Sequence, residues 1–317
     1  MKQDRNRSKG IHIFAAVLCV IFFLVGCGKS TAVNEEGNVS EKMVKEESSV
    51  PVQTAESAQT ADDKVQAVDD VEEESVKLSD FEGKKLSICG DSISTFTGYI
   101  PDYYSKFYPE MGDIQDVNDT WWMQVVKRTG MELLRNASYS GATVSGPSQD
   151  NSDGRYGCGN QRMADLAGED GSLPDVIIIM LGANDLLNGI PPGSYDGVSQ
   201  VPEGNIETFS EAYALMLDKM KTWYPDAEIY CCTAAEVSRW NDETGEKFPF
   251  ENAHKLTMKD YNAWIQSIAE KKGAKVIDVY DCGLTYENAQ SYTSDGTHPN
   301  AAGAKLIADK VCEAFGA

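Results

Sequence analysis

The residues best suited to chemistry in this chain are a serine after an apolar run and a histidine near the end. Ser92 stands two residues after Gly90, which closes the run from Leu86 to Cys89. Of the three histidines, one lies in an apolar N-terminal run, which leaves His254 and His298. His254 opens a predicted helix in a polar stretch, whereas His298 lies in a short polar loop. Because a serine nucleophile needs a general base, the sequence favours Ser92 and His298 as that pair.

A carboxylate close to His298 could complete the arrangement. Asp295 precedes His298 by three residues in Ser294-Asp295-Gly296-Thr297-His298-Pro299, so it can fold back across a turn and orient the imidazole. Pro299 restricts the backbone of His298 and suits the start of a helix. The sequence therefore predicts Asp295 as the third member.

Three loops could donate hydrogen bonds to a developing negative charge. Ser92 is expected at a helix N-terminus, where backbone N–H groups are unpaired, and a serine that only caps this helix is the alternative. Asn184, in Gly182-Ala183-Asn184-Asp185, can point its amide into a crevice or cap the next turn. Gly141 lets the backbone approach a ligand closely, or serves only as a turn residue.

Short apolar runs precede these three loops and resemble strands. Five such runs recur: Lys85 to Cys89, Glu132 to Asn136, Val176 to Leu181, Glu228 to Thr233, and Lys275 to Tyr280. Mostly apolar runs of this length are expected for strands that are buried on both faces of a parallel sheet.

Helical patterns lie between the runs. Apolar residues recur with helical spacing from Phe209 to Met220 and from Tyr261 to Ala269, and Ile307, Val311 and Phe315 mark a last helix. The capping-box patterns Thr208-x-x-Glu211 and Thr257-x-x-Asp260 begin the first two. The alternation predicts an α/β fold, a three-layer doubly wound sandwich around a five-stranded parallel sheet. Ligands bind beyond the C-terminal ends of such strands.

Four blocks in a fixed order carry a family resemblance. They are Gly90-Asp91-Ser92, Gly141, Gly182-Ala183-Asn184-Asp185 and Asp295-x-x-His298. From about residue 84 to the end, the chain resembles the SGNH hydrolases, also called GDSL esterases. It departs from the family at Ile93, where the family name has Leu, and the Gly141 block is the loosest match. The resemblance implies ester hydrolysis on the flavodoxin-like fold of that family.

The resemblance also implies a role for each site residue. Ser92 would attack the ester carbonyl, His298 would carry the proton, and Asp295 would orient His298. The backbone N–H groups of Ser92 and Gly141, with the Asn184 side chain, would form the oxyanion hole. No metal and no cofactor are needed. The Gly-x-Ser-x-Gly elbow and the His-Glu-x-x-His zinc motif of other hydrolases are absent from the sequence.

The N-terminus has the pattern of an export signal. Four basic residues within the first nine precede an apolar run from Ile11 to Val25, shorter than the roughly 20 residues that span a membrane. The run ends in Leu24-Val25-Gly26-Cys27, which resembles the lipobox of bacterial lipoproteins and implies lipidation of Cys27. An uncleaved anchor is the alternative. Both interpretations place the remaining chain outside the cytoplasm. The favoured one, lipidation of Cys27, anchors it to the bacterial cell membrane by a lipid.

Composition indicates a solvated linker before the folded domain. Residues 28 to 80 contain no aromatic residue and many acidic ones, and the whole chain has a net charge of −22. Such a segment buries too little apolar surface to fold, although a short helix from Asp62 to Val76 is an alternative. We predict a signal peptide over 1–26, an acidic tether over 27–80 and a hydrolase domain over 81–317. The acidity argues against nucleic-acid partners.

The substrate is less constrained than the reaction. Trp121-Trp122, Tyr103-Tyr104 and Trp240 lie in or near loops that could border the crevice and stack on sugars, although core packing is favoured for Trp122. The predicted surface location favours removal of O-acetyl groups from a carbohydrate or cell-envelope glycan. A lipase or lysophospholipase is the main alternative, and a non-catalytic glycan-binding lipoprotein is another. Six cysteines follow Cys27, and their spacing does not indicate whether they form disulfides.

Overall fold

The computed structural model of the protein describes residues 80–317. The predicted signal peptide, Cys27, the alternative helix from Asp62 to Val76 and the tether up to residue 79 lie outside the described residues. None of the helices within residues 80–317 is both long and apolar enough to cross a membrane.

The fold is built on a five-stranded parallel sheet. In chain order the strands are β1 Lys85–Gly90, β2 Glu132–Asn136, β3 Gly146–Pro147, β4 Val176–Met180, β5 Asn205–Ile206, β6 Glu228–Cys232, β7 Ser238–Trp240, β8 Lys247–Pro249 and β9 Lys275–Ile277. The central sheet has the order β2-β1-β4-β6-β9, and all its neighbours are parallel. The remaining strands form two small antiparallel pairs, β3 with β5 and β7 with β8. The predicted five-stranded parallel sheet is confirmed.

The fifth strand of the sheet is shorter than its apolar run. The run extends to Tyr280, but β9 ends at Ile277 and a 3-10 turn follows over Val279–Asp281. The cause is a side chain at the end of the neighbouring strand. The Thr233 hydroxyl donates to the Asp278 carboxylate over 2.9 Å and accepts from the backbone N–H of Tyr280 over 2.8 Å. These two bonds turn the chain out of the sheet.

Helices cover both faces of the sheet. They are α1 Trp121–Thr129, α2 Asn160–Ala164, α3 Ala183–Leu187, α4 Phe209–Trp223, α5 Met258–Lys271, α6 Ala289–Tyr292 and α7 Ala301–Phe315. The buried sides of α4 and α5 pack in one apolar cluster, and those of α1 and α7 pack in a second. Because β4 between them is buried along its whole length, the two clusters form the halves of a three-layer core.

The two predicted capping boxes have different outcomes. At α5, the Asp260 carboxylate accepts from the backbone N–H of Thr257 over 2.8 Å, as part of the predicted box. At α4, the Thr208 side chain makes no capping bond, so that prediction is wrong. The first two N–H groups of α4 donate instead to the carbonyls of Pro191 and Pro192, both over 2.9 Å. A preceding loop therefore satisfies the two N–H groups before Glu211, whose own N–H is the one that the capping-box pattern assigns to the threonine.

The core also contains side chains whose role the sequence leaves open. Trp121 and Trp122 are buried, which excludes them from a solvent-filled crevice. The six cysteines of the described domain are all buried and none forms a disulfide. A buried thiol of this kind acts as a small apolar side chain.

Candidate active site

Ser92 lies directly beyond the C-terminal end of β1, where a tight turn begins. It is the first residue of a 3-10 turn that ends at Ser94, and the Asp91 carboxylate caps this turn by accepting from the N–H of Ile93 over 3.1 Å. Gly90 is required at the strand end, because a Cβ there would lie 2.6 Å from the Ser94 hydroxyl. The turn leaves Ser92 5% exposed.

Ser92, His298 and Asp295 form a continuous hydrogen-bonded chain. The Nε2 atom of His298 lies 2.8 Å from the Ser92 hydroxyl, and its Nδ1 atom lies 2.8 Å from the Asp295 carboxylate. With the proton on Nδ1, Nε2 is free to accept the serine proton. The arrangement can therefore generate an alkoxide-like nucleophile at Ser92 and hold the resulting imidazolium beside a carboxylate.

The loop that carries Asp295 and His298 is folded by the aspartate itself. The Asp295 Oδ1 atom accepts from the backbone N–H groups of Thr297 and His298, each over 2.9 Å. Its partial burial would raise the pKa, but hydrogen bonds from the side chain and backbone of His298 outweigh burial and lower the pKa to about 2. The carboxylate is thus ionised across the neutral pH range.

Gly296 lets the β7–β8 hairpin pack against this loop. Its φ of +82° is left-handed, and a Cβ would lie 2.1 Å from the Ser238 carbonyl and 3.2 Å from the Trp240 ring. The N–H of Ser238 donates to the Gly296 carbonyl over 2.7 Å, and Arg239 donates to the Thr297 hydroxyl over 3.1 Å. The hairpin therefore supports the loop, and Trp240 lies beside it.

A second support for His298 is Phe107, which the sequence does not reveal. The two rings are stacked, with centroids 3.6 Å apart and planes inclined by 11°. The neighbouring Tyr108 donates its hydroxyl to the Pro299 carbonyl over 2.7 Å, and the N–H of Phe107 donates to the Thr95 hydroxyl over 2.9 Å. Since Phe107 and His298 are far apart in the chain, no local pattern could have identified this contact.

Asn184 lies at the C-terminal end of β4, in the first turn of α3. Gly182, with a φ of +124°, precedes this helix and makes the sharp turn out of the strand. The Asn184 amide donates to the Asp91 carboxylate over 3.4 Å, which places it beside the residue that precedes Ser92. The structure therefore brings the predicted Asn184 donor next to the Ser92 turn.

Asp91 is a buried carboxylate that the sequence presents only as part of a motif. Burial raises its pKa to about 6, against the lowering effects of the Ile93 N–H, His298 and Arg162. Arg162 is fully buried, and its guanidinium donates to the Gly90 carbonyl over 2.9 Å. The buried guanidinium thus fixes the end of β1 from which the Ser92 turn begins.

Gly141 occupies a turn between residues 139 and 142, closed by the Ala142 N–H and the Tyr139 carbonyl at 3.1 Å. Its φ is +83°, a conformation that favours glycine. No hydrogen bond within residues 80–317 engages the Gly141 N–H or joins Gly141 to Ser92 or Asn184. The Gly141 N–H is therefore available to a ligand.

The buried carboxylate of Asp185 ties the Gly141 loop to α3. It accepts from the N–H of Val144 over 2.9 Å, and from the N–H and hydroxyl of Ser145 over 3.2 and 2.7 Å. Burial raises the Asp185 pKa to about 6, opposed by these hydrogen bonds. Asp185 therefore links α3, which carries Asn184, to the loop after Gly141.

His254 lies apart from this group. It is exposed, and its backbone N–H closes a turn by donating to the Asn252 side chain over 2.9 Å. Over the described part of the chain, no three His, Cys, Asp or Glu side chains are grouped as a metal site would require.

Comparison with known proteins identifies the class. A family model of the GDSL-like lipase/acylhydrolases matches residues 84–315, and the chain belongs to that family. No curated protein matches the chain. The family makes the protein a carboxylic ester hydrolase, and the site described above lies inside the matched segment.

Solved structures agree with this assignment. One is a Bacteroides ovatus protein assigned as a GDSL-like lipase, with 27% identity and a TM-score of 0.53 over 73% of this chain and 97% of that one. A Bacteroides uniformis protein with the same assignment has 26% identity and a TM-score of 0.54. The match covers 74% of this chain and 96% of that one. A Lactobacillus plantarum protein, 22% identical with a TM-score of 0.53 over 74% and 97%, shares the fold.

Proposed function

We propose that the protein hydrolyses short acyl esters, chiefly O-acetyl esters of a carbohydrate or cell-envelope glycan, with Ser92, His298 and Asp295 as its catalytic triad. The observation that carries the triad is the unbroken hydrogen-bonded chain, with 2.8 Å on either side of the imidazole. That geometry meets the requirement that a general base lie within hydrogen-bond reach of the proton it removes.

The reaction proceeds through an acyl-enzyme. Ser92 Oγ attacks the ester carbonyl carbon while His298 Nε2 takes its proton, which gives a tetrahedral oxyanion and an imidazolium beside Asp295. The carbon–oxygen bond to the alcohol then breaks, and His298 donates the proton to the leaving oxygen. Water, deprotonated by the same Nε2 atom, then attacks the acyl-Ser92 carbonyl. The bond between the acyl carbon and Ser92 Oγ breaks, His298 returns its proton to that oxygen, and the acid leaves.

The oxyanion hole of this proposal uses three donors. They are the backbone N–H groups of Ser92 and Gly141 and the side-chain amide of Asn184. Asn184 is supported by its place beside Asp91, and Gly141 by an N–H that has no acceptor elsewhere in the described domain. The buried Asp185 carboxylate joins α3, which carries Asn184, to the loop after Gly141. The donors are therefore in place before the substrate binds.

A cavity on the loop that follows Gly141, called here the Thr143 cavity, supports a sugar ester over a long acyl chain. None of Ser92, Gly141, Asn184 and His298 lines it. It has a volume of about 340 Å³ and reaches from Thr143, two residues after Gly141, to Asn188, which bonds the Asn184 carbonyl. Its wall interleaves polar and apolar side chains, which include Ser145, Pro147, Arg155, Tyr156, Ile190 and Ile206. Hydroxyl, amide and guanidinium groups suit a polyhydroxylated group, and they interrupt the apolar surface that an alkyl chain would need.

The cellular location belongs to the same proposal. The lipobox pattern at Cys27 supports a lipid anchor, and the acidic segment after it supports a domain held away from the membrane. Expression of the full chain and of Cys27→Ser in a bacterial host tests this. We expect labelled palmitate to be incorporated into the wild type and not into Cys27→Ser, and a wild type without label would refute lipidation at Cys27.

A series of p-nitrophenyl esters from acetyl to palmitoyl tests the acyl preference. We expect kcat/KM to be highest for acetyl and to fall as the chain lengthens, because polar groups interrupt the apolar wall of the Thr143 cavity. Acetate release from acetylated sugars should accompany this preference. A kcat/KM that rises toward palmitoyl would favour a lipase-type activity with the same triad.

A further inference from the structure

A second cavity lies away from the Thr143 cavity, along the outer strand of the sheet. It has a volume of about 490 Å³ and is bordered by residues 98–103 on one side and by residues 133–136 of β2 on the other. β2 is the edge strand and pairs only with β1 in the described sheet. The volume is within the usual range for small-ligand sites.

Two tyrosines at this cavity are unusually exposed. Tyr99 is 40% and Tyr103 is 54% exposed, and both line the cavity. Most other aromatic side chains of the described domain are buried in the two core clusters or partly buried against them. Exposed rings that share one cavity mark a surface for a ligand with apolar faces.

Both rings are held in place by the protein. The Tyr103 hydroxyl donates to Asp165 over 2.7 Å and accepts from Gln161 over 3.0 Å, and the ring packs edge-on against Tyr104. The Tyr99 ring packs on Trp122 with centroids 5.6 Å apart. Because the rings are already ordered, stacking on them costs little further side-chain entropy.

Polar groups line the same cavity as the rings. Asp102, Arg135 and Glu169 line the same cavity, and Arg135 pairs with Glu169 over 2.6 Å. The Arg135 Nε atom is buried and has no acceptor within residues 80–317. With two carboxylates in the wall, and a chain of net charge −22, the surface disfavours an anionic ligand.

The cavity is linked to the active site by one continuous segment. Phe107, whose ring stacks on His298, follows Tyr103 by four residues, so the Cα atoms of Tyr103 and Phe107 are at most about 14 Å apart. Between them, the Ser105 carbonyl accepts from the N–H of Ser140, next to Gly141, over 2.8 Å. A molecule bound at the tyrosines is therefore within reach of the nucleophile if it is an extended polymer.

We infer that Tyr99 and Tyr103 form a subsite for a neutral oligosaccharide, which holds the unreacting part of a glycan whose ester lies at Ser92. Sugar rings combine apolar faces with hydroxyl edges, and the wall of this cavity contains two ordered rings, carboxylates and a guanidinium. The inference rests on the proposed carbohydrate esterase function and assigns to it a site beyond the triad.

Kinetics of the full chain on esters of increasing length test the subsite. The probes are partially O-acetylated oligomers of one to six units, on β-1,4-linked glucose and on β-1,4-linked N-acetylglucosamine, with p-nitrophenyl acetate as an ester too small to reach the tyrosines. We expect wild-type kcat/KM to rise with length on at least one backbone. Tyr103→Ala and Tyr99→Ala should each lower it on the hexamer roughly three- to tenfold, through KM, because each removes one ring contact.

Controls separate this subsite from general damage. Tyr103→Phe retains the ring, so it should preserve most of the length dependence, and Trp223→Ala removes a ring of 41% exposure outside the cavity and should have no effect. Activity on p-nitrophenyl acetate should be unchanged in all four variants. A wild type that hydrolyses p-nitrophenyl acetate but shows no preference for longer glycans, or alanine variants that retain that preference, would overturn the subsite. Failure of the proposed triad would give a different result, because Ser92→Ala would then retain its activity on p-nitrophenyl acetate.

Discussion

The ring of Phe107 lies parallel to the imidazole of His298, with their centroids 3.6 Å apart. This contact covers one face of the imidazole, while the Asp295 carboxylate holds its Nδ1 atom. Two independent contacts therefore define the plane in which Nε2 points at Ser92. In the proposed mechanism the imidazole must keep that direction while it takes up and returns a proton.

The first prediction removes this ring contact. Phe107→Leu retains apolar bulk but no longer stacks, so the imidazole gains freedom to rotate out of line with Ser92. We expect kcat on p-nitrophenyl acetate to fall roughly tenfold with little change in KM, since small misplacements of a general base are costly. Phe315→Leu, at a similarly buried ring that packs against Tyr230, controls for lost stability. Equal kcat values for the two variants would count against a positioning role.

The second prediction concerns the oxyanion hole. Asn184→Ala removes one donor that would face the developing oxyanion and leaves the triad intact. We expect kcat to fall roughly 10²- to 10³-fold, the usual effect of one such donor, with KM nearly unchanged. Asn118→Ala, in an exposed 3-10 turn, should retain full activity. A rise in KM alone in Asn184→Ala would mean that the amide binds the substrate and the transition state equally well. The amide would then not be an oxyanion donor.

The third prediction uses the pKa of Asp185. Its folded-state pKa of about 6 exceeds the ordinary value of 3.8, so the folded protein holds this proton more tightly than the unfolded chain. The resulting stability is present below about pH 4 and is lost as the pH rises through about 6, by about 3 kcal/mol at most. We expect the free energy of unfolding of the wild type, relative to Asp185→Asn, to fall by that order between about pH 4 and pH 7.

Urea unfolding at several pH values measures this difference. Asp281→Asn serves as the control, because the Asp281 side chain is 80% exposed. The difference in free energy of unfolding between the wild type and Asp185→Asn should shrink as the pH rises. A difference that grows over the same range would contradict a raised Asp185 pKa.

Much of the site could be predicted from sequence because its determinants are local. Asp295 and His298 are three residues apart, and their turn is closed by hydrogen bonds within those residues. Ser92 and Asn184 each follow an apolar strand, and parallel strands bring their C-terminal ends to one edge. The three layers follow from the same alternation of strands and helices.

The rest depends on contacts between distant parts of the chain. Phe107 reaches His298 from a segment without any motif, and the short β7–β8 hairpin carries no alternating pattern that would mark it. Thr208 also lacks its predicted cap, and the first two N–H groups of α4 donate to the carbonyls of Pro191 and Pro192 in a distant loop. Thr233 likewise ends β9 from a neighbouring strand. In each case a tertiary hydrogen bond or ring contact outweighs a local propensity.

The most direct test of the account is the hydrolysis of p-nitrophenyl acetate by the wild type and by Ser92→Ala, measured side by side in the full chain. Ser92→Ala removes only the hydroxyl, and Ser94→Ala in the same turn is a comparison for structural effects. We predict that Ser92→Ala lowers kcat by roughly 10⁴-fold or more, as loss of a serine nucleophile does. Equal rates for the wild type and Ser92→Ala would contradict the proposed mechanism.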